Sequence, residues 1–108
     1  MSFTVIILAA GKGSRMKSST SKPLHKIAGC EMIQWVLEAS SKAGAAQIIP
    51  VIRKEMSDLA SYLSDYSTAI QKEANGTADA VIVALPHIRN LNQPVIVLYA
   101  DTPFITAE

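Results

Sequence analysis

A mostly parallel α/β fold is predicted by three observations. Nearly continuous apolar, β-branched runs stand at residues 3–9 (FTVIILA) and 94–99 (PVIVLY), segments with helical apolar spacing lie between them, and Gly or Pro marks several of the changes. Runs of that kind suit strands covered on both faces, and helices alternating with them supply both the cover and the crossovers. A length of 108 residues bounds the chain to one small domain. With 49% hydrophobic and 18% charged residues, its balance is that of a folded globule rather than a disordered segment.

The elements follow in order. Residues 3–9 form the first strand, and a glycine turn interrupts it. From Glu31 the apolar residues Met32, Trp35, Val36, Ala39 and Ala43 fall at helical spacing, with Gly44 where a helix would stop. Strand, long loop, helix is therefore the opening sequence of elements. Residues 47–52 (QIIPVI) read as a second strand, although Pro50 lacks a ladder donor and points to an edge position or a bulge. Residues 55–63 carry Met56, Leu59, Ala60 and Leu63 on one helical face, and residues 67–71 make a short strand. Residues 78–85 read as a helix ending at Pro86, and residues 94–99 as a strand with Pro94 at its tolerated first position. Residues 106–108 (TAE) look like the first turn of another helix, with Thr106 as N-cap. An α/β chain that stops while opening a helix is expected to be an N-terminal fragment of a longer protein.

The formal charge of +1 conceals an asymmetry. Residues 1–30 hold Lys12, Arg15, Lys17, Lys22 and Lys26 and none of the nine acids. A positive field so confined favours a small anionic ligand over a nucleic-acid backbone, and basic and aromatic residues do not alternate as a single-strand-binding surface requires. Cys30 is the single cysteine, which excludes an intrachain disulfide and suits a reducing, cytoplasmic setting. The apolar run at residues 5–10 has no positive leader and is too short to span a bilayer, so neither a signal peptide nor a membrane anchor is expected. His25 and His87 have no Cys or carboxylate at ligand spacing and are expected to be structural or exposed; Trp35 and the methionines are expected in the core.

The stretch from Leu8 to Leu24, LAAGKGSRMKSSTSKPL, concentrates the chemistry. It fails as a Walker loop, because Lys12 lies between Gly11 and Gly13, and as a dinucleotide fingerprint, because Met16 stands where the third glycine belongs. What remains is a strand followed by a tight Gly-x-Gly turn whose backbone N–H groups can approach an anion without an intervening Cβ. The same glycines would equally serve a plain turn flanked by solvated bases. The absence of acids tilts the balance toward phosphate, since solvated faces normally mix signs.

The segments LAAGKGSRM (8–16) and SKPLHKIAG (21–29), followed by Met32, resemble the sugar-nucleotide pyrophosphorylase family. The Leu-His after Lys22, residues 71–80 (QKEANGTADA) and residues 99–104 (YADTPF) narrow the likeness. They are similar to the N-terminal uridylyltransferase domain of the bacterial bifunctional enzymes that pair N-acetylglucosamine-1-phosphate uridylyl transfer with glucosamine-1-phosphate acetyl transfer. The resemblance implies a Rossmann-like, mostly parallel sheet of the nucleotide-diphospho-sugar transferase type, with residues 1–108 as the nucleotide-binding half of the domain. It implies that UTP and a sugar-1-phosphate are converted to UDP-N-acetylglucosamine and pyrophosphate with Mg2+, without nucleic-acid or membrane partners. The sugar-binding half and the C-terminal β-helix domain, through which any homo-oligomer would form, lie outside this sequence, which carries no hexapeptide repeat.

By the same resemblance Leu8, Ala9, Ala10, Gly11 and Gly13 lie at the nucleotide, Arg15 and Lys22 contact its phosphates as the catalytic pair, Gln71, Gly76 and Thr77 read uracil, and Asp101 holds the metal. Chemistry agrees: uracil offers one N–H between two carbonyls, which an amide and backbone groups can match, and a hard carboxylate oxygen suits magnesium shared with phosphate. Read without the family, Asp101 could open a turn, Gly76 and Thr77 could start a helix, and Gln71 could be a surface strand residue. The chain departs from the family's pattern at Ala100, where Gly is usual, at Asp79, where His is common, and at Arg53 and Lys54, where Gly-His is common. Other readings are a non-catalytic nucleotide-binding module, a cytidylyl- or guanylyltransferase relative, or a folding fragment.

Overall fold

Four of the apolar runs lie side by side in a computed structural model that describes residues 3–9, 26–27, 29–54, 56–71, 77–90 and 92–100. In chain order the elements are β1 (Phe3–Leu8), β2 (Lys26–Ile27), β3 (Cys30–Glu31), α1 (Met32–Lys42), β4 (Ala45–Arg53), α2 (Ser57–Tyr62), β5 (Ala69–Gln71), α3 (Thr77–Ala84), a 3-10 turn (Leu85–His87) and β6 (Val95–Tyr99). The main sheet has the order β5-β4-β1-β6 with every neighbouring pair parallel.

Alternation along the strands sorts their side chains between two cores. Val5, Ile7 and Ile52 face α1 and α2, packing with Ile33, Val36, Leu37, Leu59 and Leu63. Ile6, Ile49 and Val51 face α3, packing with Ala80 and Ala84. The sheet is thus covered on both faces, the arrangement that continuous apolar strands require. In α1 the buried stripe is Met32, Ile33, Val36, Leu37 and Ser40. Ser40 tolerates burial because its hydroxyl donates to the Val36 carbonyl at 2.8 Å. Ala43 lies beyond the helix and is exposed, as is Ala60 in α2, so neither belongs to the apolar face that spacing suggested.

Gly44 ends α1 with φ of 95°, while a Cβ built there would meet nothing within 4 Å. Backbone conformation rather than space therefore calls for glycine. Between β1 and α1 the sequence suggested only a loop, but β2 and β3 pair as an antiparallel ladder, Ile27 opposite Cys30, with Gly29 at φ of 85° in the turn. Two-residue strands carry too little periodicity to be read from sequence. Trp35 is half-buried, Met32 and Met56 are in the core, and the Cys30 thiol is half-buried and not in a disulfide. Tyr62 ties α2 to α1 by donating to Gln34 Oε1 at 2.8 Å; burial, and then the nearby Glu31 carboxylate, push its phenol above its ordinary pKa.

Pro50 sits in a strand flanked on both sides, not at an edge of the sheet. The Val51 carbonyl accepts from the Ala9 N–H, so alternation turns the Pro50 nitrogen away from β1. On that side β5 pairs only with Val51, Ile52 and Arg53. The position that lacks a donor falls one residue before the second ladder begins, so Pro50 is a local edge within an interior strand. The register irregularity lies elsewhere, between Phe3 and Thr4, where the β1 partners jump from Ala45 to Gln47. The helix expected over residues 78–85 runs one residue earlier, from Thr77 to Ala84, and Pro86 lies inside the 3-10 turn that follows it.

Candidate functional site

The chain runs β1, β4, β5 in one direction across the sheet and then returns to place β6 on the far side of β1. The reversal falls between β1 and β6, and open α/β sheets bind ligands outside the carboxyl ends of their strands at such a point. Here the two strands are stitched at their last residues, the Ala100 N–H donating to the Leu8 carbonyl at 3.0 Å. Ala9 and Ala100 are both buried, so small side chains stand at both exits from the sheet. Leu8 and Ala9 are therefore placed at the carboxyl edge, with Leu8 packed against the α3-side core.

Two strands further along the same edge, Gln71 ends β5 opposite Arg53, the last residue of β4. Gln71 is only 3% exposed, so it is not a surface strand residue. Its Nε2 donates to Asp79 Oδ2 at 3.0 Å, bridging β5 to the first turn of α3. An acid in that turn also suits the positive end of the helix dipole. Thr77 is the first residue of α3. Arg53, a half-buried residue, brings a permanent positive charge to this edge, and its carbonyl accepts from the Met56 N–H at 3.0 Å in the turn into α2. In the sequence Arg53 stands out only as a departure from the family's pattern, although a base directly after the apolar run 47–52 is a signal that could place it here.

The structure thus brings Leu8, Ala9, Gln71 and Thr77 to one edge of the fold. Ala10, Gly11, Gly13, Arg15, Lys22, Gly76 and Asp101, together with His25 and the expected helix start at residues 106–108, lie outside the described residues. Among the described residues no three His, Cys, Asp or Glu side chains group as a metal site. No helix among them is long and apolar enough to cross a membrane.

A groove of about 390 Å³ opens at the opposite end of the sheet, lined by Ala45, Gln47, Asp65, Tyr66, His87 and Arg89 among others. It lies at the amino ends of β4 and β5, away from the edge where this topology binds ligands. Its floor serves a structural purpose. The buried Gln47 amide donates to the His87 carbonyl at 2.6 Å and accepts from the Arg89 N–H at 2.9 Å, fastening the segment after α3 to the sheet. The half-buried His87 thus has the structural place expected of it.

Comparison with known proteins agrees with this geometry. The chain is 43% identical over 107 residues to the bifunctional protein GlmU of Parvibaculum lavamentivorans, covering 95% of this chain and 24% of the relative. It is 46% identical over 102 residues to GlmU of Oenococcus oeni, covering 94% of this chain and 23% of the relative. The chain therefore spans about a quarter of the length of these curated relatives. Among solved structures, Rv0371c of Mycobacterium tuberculosis superposes with a TM-score of 0.78 at 21% identity, over 98% of this chain and 55% of that one. A Methanothermobacter nucleotidyl transferase also gives 0.78, at 18% identity over 98% of this chain and 53% of its own. These two likenesses establish the fold as the α/β, mostly parallel, Rossmann-like type predicted. A model of the MobA-like NTP transferase domain matches residues 5–108, and the chain belongs to that family.

Proposed function

We propose that this chain is the nucleotide-binding half of a uridylyltransferase domain, joining UTP to N-acetylglucosamine-1-phosphate to give UDP-N-acetylglucosamine, a precursor of peptidoglycan and lipopolysaccharide, and pyrophosphate. The observation that carries the reading is the meeting of β1 and β6 at the switch point, directly before the basic glycine turn on one strand and before Asp101 on the other. Identity of 43% and 46% to two bifunctional GlmU proteins supports the choice of uridine and of this sugar. A cytoplasmic setting belongs to the same proposal, as do the absence of nucleic-acid and membrane partners and any assembly through a further domain.

In this reading the residues from Leu8 to Gly11, with Gly13, pass beneath the nucleotide. Arg15 and Lys22 contact the phosphates, and Gln71, Gly76 and Thr77 read the base. The attacking sugar-phosphate oxygen is already an anion at neutral pH, so no general base or covalent intermediate is needed. The protein's task is to hold two anions in line and offset the charge that develops on the leaving pyrophosphate. Backbone donors of the glycine residues and the side chains of Arg15 and Lys22 would supply that charge compensation.

A divalent cation fits the residue at hand. Asp101 follows Ala100, whose backbone is fixed to the end of β1, and a carboxylate is the hard oxygen donor that magnesium takes alongside phosphate oxygens. Held there, magnesium would supply charge neutralisation at the phosphates. A solved manganese complex of Rv0371c, aligned over 99% of this chain at a TM-score of 0.76, is a metal-bound protein of the same fold.

The test is calorimetric titration of the chain with UTP, CTP, GTP and ATP in magnesium, repeated with Lys22→Ala. Selective UTP binding, weakened about ten-fold or more by the substitution while the unfolding transition stays in place, is the expected result. Equal affinity in Lys22→Ala would remove its phosphate role, and preference for CTP or GTP would move the chain to a related nucleotidyltransferase.

A further inference from the structure

We propose that the groove at the amino ends of β4 and β5 binds a small zwitterion, an α-amino acid with an apolar side chain, whose carboxylate meets Arg89 and whose ammonium meets Asp65. The site lies at the opposite end of the sheet from the nucleotide edge and does not depend on the uridylyl reading.

The two walls of the groove come from opposite faces of the sheet. Asp65 and Tyr66 follow α2, and Tyr66 packs against the core beneath α1 and α2. Arg89 follows α3 and directly succeeds Ile88, which is buried in the core on the other face. Each wall thus brings one full charge, of opposite sign, to the same concavity of about 390 Å³. The two do not pair with each other. Asp65 makes no ion pair or hydrogen bond among the described residues, and Arg89 donates one guanidinium N–H to the Ala46 carbonyl at 3.3 Å. A volume of this size stands at the lower end of those that hold small ligands.

Both charges are mounted on fixed backbone. The Arg89 N–H donates to Gln47 Oε1 at 2.9 Å, and the Gln47 amide in turn holds the His87 carbonyl at 2.6 Å. A guanidinium has five N–H donors in a planar fork, so the bond to Ala46 leaves donors for a carboxylate. The Tyr66 N–H donates to the Leu63 carbonyl at 2.9 Å, closing the turn that carries Asp65. Ile48 adds backbone groups to the floor. The Val51 carbonyl faces β1, so alternation turns Ile48 the other way, where β5 begins only opposite Val51. The half-buried Ile48 and Tyr66 also give the groove an apolar side, which suits an apolar or aromatic side chain.

Charge complementarity selects the ligand class. A dianion would set its second negative charge against Asp65, and a diamine would set one of its positive charges against Arg89. A zwitterion satisfies both walls at once.

The test records backbone amide spectra of the full chain by NMR during titration with L-phenylalanine, 3-phenylpropionate and phenethylamine. The last two each keep the ring and one charge of the first. L-phenylalanine should move the amides of Ala46, Gln47, Ser67 and Arg89, and each single-charge analogue should bind about five-fold or more weakly, the effect of one partly exposed ion pair. Arg89→Ala and Asp65→Asn alter exposed side chains and should weaken L-phenylalanine by a similar factor, with the unfolding transition left in place. No movement of these amides at about 10 mM L-phenylalanine would overturn the site. Equal binding of either analogue would overturn the zwitterion assignment, and it would do so on the unmodified chain whatever the variants do. Binding that ignores both substitutions would remove Arg89 and Asp65 as the charged contacts and refute the proposal.

Discussion

The apolar runs of β4 and β6 look alike as sequence, IIPVI against VIVLY, yet the two strands occupy opposite situations in the sheet. β4 has β1 on one side and β5 on the other, and Ile49, Val51 and Ile52 are essentially closed to solvent. β6 has β1 as its one neighbour among the described strands, and Ile96 is 42% and Tyr99 48% exposed. An apolar, β-branched run therefore specifies a strand without specifying how far it is covered. Cover is set by which neighbours the topology supplies, and the difference is energetic because stabilisation follows the apolar area removed from water.

The comparison can be broken most sharply at Ile49. Ile49→Ala should lower stability by about 2–5 kcal/mol, since it opens a cavity between the sheet and α3, and urea denaturation would measure it. A loss as small as that expected of an exposed residue would mean that the α3-side core is loosely packed. Gln47→Ala, near the start of the same strand, should cost about 1–3 kcal/mol, because it orphans the His87 carbonyl and the Arg89 N–H. Faster amide exchange at Arg89 would show the loosening directly. Ile96→Thr on β6 should change stability by no more than about 0.5 kcal/mol, as expected for a half-exposed side chain that keeps its β-branch. A loss comparable to that of Ile49→Ala would erase the distinction between the two strands.

Pro50 shows what sequence reasoning can and cannot see. The absence of a donor was legible, and the inference of an edge was correct for the residue but not for its strand. The length of β5, which leaves Pro50 without a second ladder, depends on where a remote segment docks. The candidate site divides in the same way. Leu8, Ala9, Gln71 and Thr77 were singled out by motif, and the fold gathers them at one edge. The bond between Gln71 and Asp79 and the arrival of Arg53 beside Gln71 were not legible, because each joins elements separated in sequence. The hairpin of β2 and β3 escaped for a different reason: two residues per strand are too few to show a period.

By itself the sequence determined the element types and most of their order, because periodicity, glycine at positive φ and proline at element ends act locally. It also determined the chemical character of the first thirty residues, where bases accumulate without acids. Only the tertiary structure decided the strand order, the reversal between β1 and β6, and the bond from Gln71 to Asp79. Those are contacts between distant segments, selected by how apolar faces close over one another, and no local pattern encodes them.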